Sequence, residues 1–579
     1  MIITQIKVHN YRGIIDQTFL LQNYSLFVGP NNSGKSSMIN AIRAFYEKDG
    51  FKFKNETDFP LIKTDDKESW IEIIFKLTKA ENDSLAEEYQ QKNENLILRK
   101  YFETETKTKE GKSASGIIFG YHADGTLSDE SFYGAKNVQS GKIGDIIYIP
   151  AVSRVDEHTK LTGPSALRDL LQNIMSATLT DSKNYETFQT QVSSFSEGIC
   201  QEKTKEGYSI HSFEGELNDS INPWGVNFQI QLRTPLANEI VKSMINYEFE
   251  DLIHGKPQEI ENYGSGFQRH FIYSLINISS RYTIKKEKKK SKDFTPRMTL
   301  LLFEEPEAFL HPPQQDILAR NLMKFSTPEE NQVICSTHSP HFVSRNANNI
   351  PGLIHFCRKD GAIHTYQINA AEWNSIIDAN QSINKIAEKF RRMKAKLSEE
   401  DQKPEMESIK QFLWLNPDRC GLFFANHVIL VEGPTEVALI NKLIGEEKVR
   451  NSNSGLYVLD SIGKYNIHRF MNLVSALGIS HSVIHDDDEN RDEHLELNQL
   501  IEESKSQFTF TIKQIPKDLE SFLSIPSAGS PHRKPQHVLF LYENEKIAPD
   551  KIKAFCEMVD SCIPNTPLGD RAIAVKTTS

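Results

Sequence analysis

A glycine-rich segment between an apolar strand and an amphipathic helix is the first feature whose residue types could do chemistry. Residues 29–36 read GPNNSGKS, which fits the pattern GxxxxGK(S/T), and the apolar run YSLFV at 24–28 precedes it. In that setting backbone N–H groups and the helix N-terminus cradle phosphates, Lys35 neutralises the β- and γ-phosphates, and the Ser36 hydroxyl ligates Mg²⁺. The predicted ATP-binding residues of this P-loop are Gly29, Asn31, Asn32, Ser33, Gly34, Lys35, Ser36 and Ser37.

An acidic strand end complements the P-loop. Residues 300–306 read LLLFEEP, an apolar strand that finishes in two carboxylates. We expect Glu304 to complete the Mg²⁺ shell and Glu305 to polarise the attacking water during ATP hydrolysis. Taken alone, an apolar strand with a polar end is also an ordinary structural feature, and the upstream P-loop is what favours the chemical interpretation.

Two further motifs complete an ordered set. GSGFQR at 264–269 precedes the acidic strand, and THSP at 337–340 follows the next strand. The set resembles the ABC-type ATPase head, with P-loop, signature, Walker B and H-loop in that order. The resemblance implies that Ser265, Gly266 and His338 lie near ATP, and that one head closes on the nucleotide of another. Arg12, in the NYRG turn, matches a basic position near the nucleotide in the repair-ATPase branch, although a surface arginine is an equal alternative. Gln139 is the candidate for the Q-loop glutamine.

A second constellation is rich in carboxylates. HVILVEGPTE at 427–436 is a strand, a Glu-Gly turn and a helix, so Glu432 leaves the strand end and Glu436 follows one helical turn later. SVIHDDD at 482–488 is a second strand that places Asp486 and Asp488 at alternate positions. Such a cluster suits Mg²⁺ or Mn²⁺, and two such ions could stabilise the attacking and leaving oxygens of a phosphodiester. A solvated acidic loop is the alternative for three adjacent aspartates.

This second constellation resembles the Toprim domain of topoisomerases, primases and some nucleases, and GKYN at 463–466 looks like its middle glycine turn. An ABC head followed by Toprim resembles the overcoming-lysogenization-defect (OLD) nucleases, which include Gabija-type and retron-associated anti-phage effectors. The resemblance implies that Glu520 adds a metal ligand and that Lys534 neutralises the scissile phosphate. A carboxylate at a helix start and a surface lysine are the alternatives for these two residues.

The elements that must position these residues follow from hydrophobic periodicity. Strands are predicted at 2–9, 24–28, 71–77, 97–103, 145–150, 226–232, 246–252, 298–303, 331–336 and from 427, and helices at 36–46, about 165–200, 236–244 and within 384–411. The predicted fold class is α/β, an ABC-type ATPase head with a helical dimerisation insertion, followed by a C-terminal Toprim domain. The predicted boundaries are 1–160 and 246–370 for the two parts of the head, 161–245 for the insertion, 371–420 for a charged helical linker and 421–579 for Toprim.

Composition limits the function classes. The 579 residues carry a net charge of −11, which disfavours a chain-wide polycation that coats nucleic acid. The basic run KKEKKKSK at 285–292 is interpreted as a solvated loop, with a nucleic-acid contact as the alternative. Six cysteines without a CxxC pair disfavour a disulfide framework or zinc ribbon, and no apolar run reaches the length of a membrane span. A cytoplasmic protein without membrane contact is expected.

The sequence therefore predicts an ATP-binding and ATP-hydrolysing, metal-dependent DNA endonuclease whose Toprim site is controlled by the ATPase heads. Its catalytic residues would be Glu432, Asp486, Asp488 and Lys534, with Glu305 in the ATPase. The split ATP site predicts a homodimer, and the family resemblance extends this to a tetramer and to an anti-phage role. A helicase-like protein, or a reverse transcriptase with its DNA, is a candidate partner. The alternative function is a RecF-like, ATP-dependent DNA sensor or partner scaffold with an inactive Toprim domain.

Overall fold

The computed structural model describes residues 1–47, 50–109, 111–133, 143–151, 182–230, 247–252, 255–282, 298–326, 331–390, 403–449, 455–488 and 492–564, together with isolated positions between 167 and 179 and between 239 and 296. The chain divides into two compact units. One unit comprises Met1–Ala151 and Lys292–Ser579, and the other comprises Val152–Ser291. The predicted domain boundaries, including the insertion at 161–245, stay predictions.

An antiparallel sheet opens the first unit. Its strands, in the spatial order β2-β1-β4-β5-β6-β7, are β1 (Ile2–Tyr11), β2 (Ile14–Leu20), β4 (Ser69–Lys76), β5 (Asn95–Glu103), β6 (Ile118–Tyr121) and β7 (Leu127–Ser131). The alternation that predicts strands at 2–9, 71–77 and 97–103 arises because one face of this sheet is buried. Short helices α2 (Asn55–Asp58) and α3 (Lys79–Asn82) lie in the connections along the chain.

A second, mostly parallel sheet carries the P-loop. Its strands, in the order β14-β13-β3-β12-β11-β8, are β3 (Tyr24–Val28), β8 (Asp145–Ile149), β11 (Thr299–Glu304), β12 (Asn331–Ser336), β13 (Leu353–Lys359) and β14 (Ala362–Gln367). Only β14 pairs antiparallel to its neighbour in this sheet. The helices that follow its strands are α1 (Lys35–Tyr46), α7 (Pro312–Phe325) and α8 (Pro340–Arg345).

Helix α1 joins the two sheets in one hydrophobic core. Its buried residues Met38, Ile42 and Phe45 cluster with Ile6 of β1 and Ile334 of β12. Burying one apolar side chain of this size contributes about 1.5–3 kcal/mol, so this packing fixes the start of α1, where the P-loop ends. The glycine-rich turn is therefore held between a fully buried strand and a helix whose apolar face is buried.

The second unit contains helices α4 (Lys183–Gln201), α5 (Ile210–Ile221) and α6 (Ser265–Tyr282), and a hairpin of β9 (Phe249–Asp251) and β10 (Lys256–Gln258). The prediction of a strand at 226–232 is wrong for residues 226–230, which form no strand. Phe228 is tied there by hydrogen bonds to the side chain of Asn218, so the alternation does not reflect a sheet. Most of the predicted helix at 236–244 and the whole basic run at 285–292 lie outside the described residues.

A four-stranded parallel sheet forms the C-terminal part. Its strands, in the order β16-β15-β17-β18, are β15 (His427–Val431), β16 (Leu456–Asp460), β17 (His481–Asp486) and β18 (Thr509–Ile515). Its helices are α12 (Pro434–Gly445), α13 (Ile467–Ala476), α14 (Asp492–Glu503), α15 (Leu519–Phe522), α16 (Lys534–Glu543) and α17 (Pro549–Ser561). Fully buried Val431 and Ile484, on neighbouring strands, explain the continuous apolar runs in the sequence.

The segment before this sheet contains α9 (Ala370–Asn380), α10 (Ser382–Lys389) and α11 (Pro404–Trp414). These helices are attached to the C-terminal domain, since Glu407 of α11 forms a buried ion pair with Arg469 of α13 at 3.0 Å. Ile383 of α10 packs with Leu497 of α14. Within the part of the chain that the structure describes, no helix has the length and apolar character that crossing a membrane requires.

Candidate functional site

The P-loop turn uses backbone conformations that its glycines permit. Gly29 and Gly34 have φ of 142° and 105°, and Asn32 has φ of 61°. A Cβ at Gly29 would lie 2.1 Å from the carbonyl oxygen of Phe356, so no larger residue fits. The turn thereby leads directly from β3 into α1, with Asn31, Asn32 and Ser36 exposed and Ser37 half-buried.

Lys35 lies inside this turn. Its Nζ donates to the carbonyl oxygens of Gly29 at 2.9 Å and Pro30 at 2.8 Å, and it is 3.4 Å from Ser33 Oγ. Burial lowers the pKa of Lys35 to about 8, although the charges of Glu305 and Glu307 oppose the shift. The ammonium is thus enclosed by weak carbonyl partners, and phosphate oxygens would be stronger ones.

The acidic strand β11 lies one strand away from β3, with β12 between them. Glu304 at its end is buried, and its Oε2 accepts a hydrogen bond from Tyr148 Oη at 2.9 Å. Its Oε1 is buried and has no hydrogen-bond partner among the described residues. An oxygen in that state suits a cation or a cation-bound water, so the donor set fits the Mg²⁺ that accompanies ATP.

Glu305 follows with a left-handed backbone, φ 44°, and its N–H donates to Ser336 O at 2.8 Å. His338 Nε2 lies 3.7 Å from Glu305 Oε1. Burial and the charge of Lys35 lower the pKa of His338 to about 4, so this ring is neutral at pH 7. Glu307, which lies outside the predicted site residues, accepts the His338 N–H through Oε1 at 2.6 Å. The run EEPE at 304–307 is the sequence signal that could have indicated it.

Arg12 adjoins the P-loop through a shared neighbour. Gly13 and Gly34 both pack against Ile363, since a Cβ added to either would lie within 2.9 Å of Ile363 Cδ1. The guanidinium of Arg12 is engaged elsewhere, with Nε donating to Asp58 Oδ1 at 2.8 Å. Arg12 itself has φ of 53°, so the turn that precedes β2 fixes its direction.

The remaining ATPase candidates belong to other parts of the chain. Ser265 and Gly266 lie in the second unit, where the predicted signature forms the first turn of α6 instead of preceding it. The side chain of Ser265 lies outside the described residues, and so does Gln139. Their roles toward ATP stay predictions.

Glu432 and Asp486 meet at the carboxyl ends of neighbouring strands β15 and β17. The backbone N–H of Asp486 donates to Glu432 Oε1 at 2.9 Å. Burial raises the pKa of both carboxyls. Neighbouring carboxylates add to the effect, namely Glu436 and Asp488 at Glu432, and Glu432 and Asp488 at Asp486. Glu436, in the first turn of α12, accepts the Gly433 N–H at 3.1 Å, and burial raises its pKa to about 7.

Asp487 and Asp488 diverge after the strand. Asp487 turns away, because its carbonyl and Oδ1 accept hydrogen bonds from the Asn498 amide. Asp488 Oδ2 lies 2.9 Å from His494 Nδ1 and 3.3 Å from Lys464 Nζ. Burial opposes ionisation of Asp488, but the close contact with His494 and the Lys464 charge hold its pKa at about 2.

Lys534 and Glu520 form an ion pair beside these carboxylates. Lys534 Nζ lies 2.9 Å from Glu520 Oε1, and Glu520 is buried while the lysine side chain is 37% exposed. Burial opposes the charge of Lys534, but the pair with Glu520 and the charges of Asp486 and Glu436 raise its pKa. Helix α16, which begins at Lys534, packs against α12, which carries Glu436.

The donor set at this sheet edge fits hard divalent cations. Its carboxylates outnumber the two lysines beside them, and Asp486 Oδ1 is buried without a partner among the described residues. Among those residues, no three His, Cys, Asp or Glu side chains already converge as a metal cage. Asp488 in particular is directed to Lys464 and His494. Neither Lys464 nor His494 was among the predicted site residues, although GKYN at 463–466 was singled out in the sequence.

Comparisons with known proteins agree with this two-part organisation. The family model described as AAA ATPase domain matches residues 1–343, and the one described as overcoming lysogenization defect protein-like, Toprim domain, matches residues 423–488. The protein called Old nuclease of Escherichia phage P2 is 26% identical over 503 residues, which are 84% of this chain and 77% of that protein. Endonuclease GajA of Bacillus cereus strain VD045 is 24% identical over 506 residues, 84% of this chain and 75% of that protein.

Among solved structures, the SMC head domain from Thermotoga maritima matches with a TM-score of 0.30 and 13% identity, covering 64% of this chain and all of that one. The expected combination of an ATPase with a C-terminal OLD-like Toprim domain is confirmed by the two family models. The chain belongs to the AAA ATPase domain family and carries an OLD-like Toprim domain after its ATPase.

Proposed function

We propose that the chain is an ATP-regulated, metal-dependent DNA endonuclease that acts in the cytoplasm as an anti-phage effector. The observation that carries the proposal is the meeting of Glu432 and Asp486 through a 2.9 Å hydrogen bond at adjacent parallel strand ends, with Glu436 buried nearby. Clustered, buried carboxylates of raised pKa are typical of functional sites. The relatives named nucleases support the same reaction class.

At the Toprim site, Glu432, Glu436, Asp486, Asp488 and Glu520 would hold Mg²⁺ or Mn²⁺. Divalent cations bound there supply an activated water and neutralise charge on the phosphodiester. Lys534 is 37% exposed, which supports a role in contacting a DNA phosphate. Asp487 is not assigned a ligand role, because Asn498 already holds it.

In the ATPase, Lys35 would exchange its carbonyl partners for the nucleotide phosphates, and Ser36 and Glu304 would hold the accompanying Mg²⁺. Glu305 would orient the attacking water, with neutral His338 as its neighbour at 3.7 Å. Ser265 and Gly266 would complete the site from a second copy, so we propose a homodimer, with a tetramer as a further assembly. Arg12 keeps Asp58 as its partner and would approach the nucleotide from the adjoining turn.

Cleavage of supercoiled plasmid DNA tests the proposal. Wild-type protein is incubated with Mg²⁺ or Mn²⁺, with and without ATP, beside Glu432→Gln and the control Glu557→Gln, which changes an exposed glutamate on α17. We expect cleavage by the wild type and the control, and a loss of about a hundredfold or more in Glu432→Gln. Equal cleavage by Glu432→Gln would assign the activity to another site or to a contaminant. Comparing cleavage with and without ATP shows whether ATP activates or inhibits the nuclease.

A second function is favoured by one observation, the engagement of Asp488 by Lys464 and His494 without a preformed metal cage among the described residues. It is an ATP-dependent DNA sensor or partner scaffold, resembling RecF, with an inactive Toprim domain. A helicase-like protein or a reverse transcriptase with its DNA would then supply the partner. Phage protection in cells distinguishes the two functions. A sensor still protects when Glu432→Gln replaces the wild type, whereas a nuclease does not.

A further inference from the structure

We propose that Lys464 is a positioning residue of the Toprim site, a built-in cation that holds Glu432, Asp488 and the turn at 486–488 in register before a metal ion enters. The inference rests on the proposed function, since it concerns the same site.

The contacts of Lys464 reach the ends of both strands, β15 and β17, that carry carboxylates of the site. Its Nζ donates to the carbonyl oxygen of Asp486, lies 3.4 Å from that of Asp487 and 3.3 Å from Asp488 Oδ2, and is 4.0 Å from Glu432 Oε1. The lysine side chain is only 3% exposed. An ammonium group has three protons to donate, so these partners use its full capacity.

The turn at 486–488 needs such a partner. Asp488 has φ of 52°, a left-handed conformation that a side chain disfavours. On one side, the N–H groups of Asp487 and Asp488 donate to the carbonyl oxygens of Ile515 and Lys517. On the other side, the carbonyl oxygens of the turn face Lys464. Backbone groups pinned from both sides keep the aspartates at the strand end.

Lys464 is itself fixed by the turn that precedes it. Gly463 has φ of 95°, and its N–H donates to the carbonyl oxygen of Glu432 at 2.6 Å. Ile462 also has a left-handed backbone, with φ of 58°. The lysine therefore enters the site from a backbone that is hydrogen-bonded to the first catalytic glutamate, which couples the two positions directly.

The two lysines of the site differ in a way that separates their roles. Lys534 is 37% exposed and pairs with Glu520, so a DNA phosphate can reach it. Lys464 is enclosed by the carboxylates and carbonyls and is out of reach of substrate. Lys464 thus acts through the residues it holds, and its positive charge at 4.0 Å from Glu432 opposes the binding of a divalent cation at the same carboxylates.

This arrangement gives Lys464→Met an unusual combination of effects. Removing the charge takes away a competitor of the metal, so metal affinity should increase by about tenfold or more. Removing the hydrogen bonds releases the turn, so turnover at saturating metal should fall by about a hundredfold, with KM for DNA changed by less than about threefold. A residue that contributed only to stability would change neither the metal affinity nor the turnover of the folded protein.

The experiment uses the full chain without nucleotide or DNA. Free Mn²⁺ is measured by electron paramagnetic resonance during titration, and binding that is lost in Glu432→Gln is assigned to the Toprim site. Plasmid cleavage at saturating Mn²⁺ is measured on the same preparations. The matched control is Lys100→Met, since Lys100 is equally buried and its Nζ binds the carbonyl oxygens of Ala44 and Phe45 and the Glu47 carboxylate in the ATPase half.

Tighter Mn²⁺ binding with slower turnover in Lys464→Met, and neither change in Lys100→Met, supports the proposal. Weaker Mn²⁺ binding in Lys464→Met, or turnover within about threefold of wild type, would overturn it. If Lys464→Met does not fold, Lys464→Arg keeps the charge in a different shape, and Mn²⁺ affinity within about threefold of wild type with reduced turnover is the supporting result. Wild-type protein that binds Mn²⁺ but cleaves no DNA contradicts the proposed function, and the Mn²⁺ comparison alone then decides the role of Lys464.

Discussion

The ring of His338 lies beside the ring of Phe424, with 6.1 Å between their centroids. His338 belongs to the ATPase half and approaches Glu305, whereas Phe424 ends the 3-10 turn Cys420–Phe424 that leads into β15. Helix α8 packs against the same turn. Glu432 follows β15 directly, so a short stretch of chain joins the contact at the ATPase to the first carboxylate of the Toprim site.

Phe424→Ala should uncouple the two sites. Removing the ring deletes the contact with His338 but leaves the carboxylates in place, so cleavage without nucleotide should stay within about threefold of wild type. The ratio of cleavage rates with and without ATP should then move toward one. Plasmid cleavage across an ATP titration measures this ratio. Phe510→Ala, which removes an exposed ring of β18, is the control that should keep the wild-type ratio; an unchanged ratio in Phe424→Ala would reject this contact as the route.

Glu305→Gln should separate ATP binding from ATP turnover. The amide keeps the size of the side chain but no longer polarises a water, so hydrolysis should fall by about a hundredfold while nucleotide affinity changes little. Phosphate release and binding of a fluorescent ATP analogue are the two measurements. Glu372→Gln, at the exposed start of α9, is the matched control. Turnover that survives in Glu305→Gln would mean that another carboxylate, such as buried Glu307, orients the water.

The raised pKa of Glu436 predicts that Glu436→Gln is more stable than the wild type at alkaline pH. The folded pKa of about 7 lies above the ordinary value of 4.5, so the stability that this group contributes is present below pH 4.5 and is lost as pH rises through 7. At pH 8 without metal, Glu436→Gln should therefore be more stable by about 1–3 kcal/mol, and the difference should vanish near pH 4.5.

Chemical denaturation at pH 8 and near pH 4.5, with EDTA or Mg²⁺, checks this prediction. Mg²⁺ should stabilise the wild type and should stabilise Glu436→Gln much less, since the charge that the cation neutralises is gone. Glu557→Gln, on exposed α17, should match the wild type in every condition. If Glu436→Gln is less stable than the wild type at pH 8 in EDTA, the ionised Glu436 carboxylate does not destabilise the folded protein.

The strands that carry the candidate site residues could be predicted from the sequence, because buried parallel strands are continuous apolar runs. The strand predicted at 298–303 is β11, and the one at 331–336 is β12. At 226–230 the same alternation fails, since side-chain hydrogen bonds from Asn218 organise the segment without a sheet.

The site was less predictable than the strands. Strand pattern and the resemblance to Toprim predict that Glu432, Asp486 and Asp488 lie near one another, but they do not reveal that Lys464 and His494 engage Asp488. Lys464 lies 24 positions before Asp488 and His494 lies six positions after it, so neither contact follows a helix or strand period. The pairing of Arg12 with Asp58 is of the same kind.

A buried histidine in α13 gives the last prediction. His468 Nε2 donates to the carbonyl oxygen of Asn380 at 3.2 Å, and burial and the Arg469 charge lower its pKa to about 3. The folded value lies below the ordinary 6.5, so its contribution to stability is present above pH 6.5 and is lost as pH falls toward 3.

His468→Gln keeps a donor without a titrating ring. The slope of unfolding free energy against pH between 6 and 4 should therefore flatten by about 1.4 kcal/mol per pH unit, which corresponds to one proton. Urea unfolding across that range measures the slope, with His532→Gln as the control because its ring is exposed. Parallel slopes for wild type and His468→Gln would mean that His468 is protonated in the folded protein.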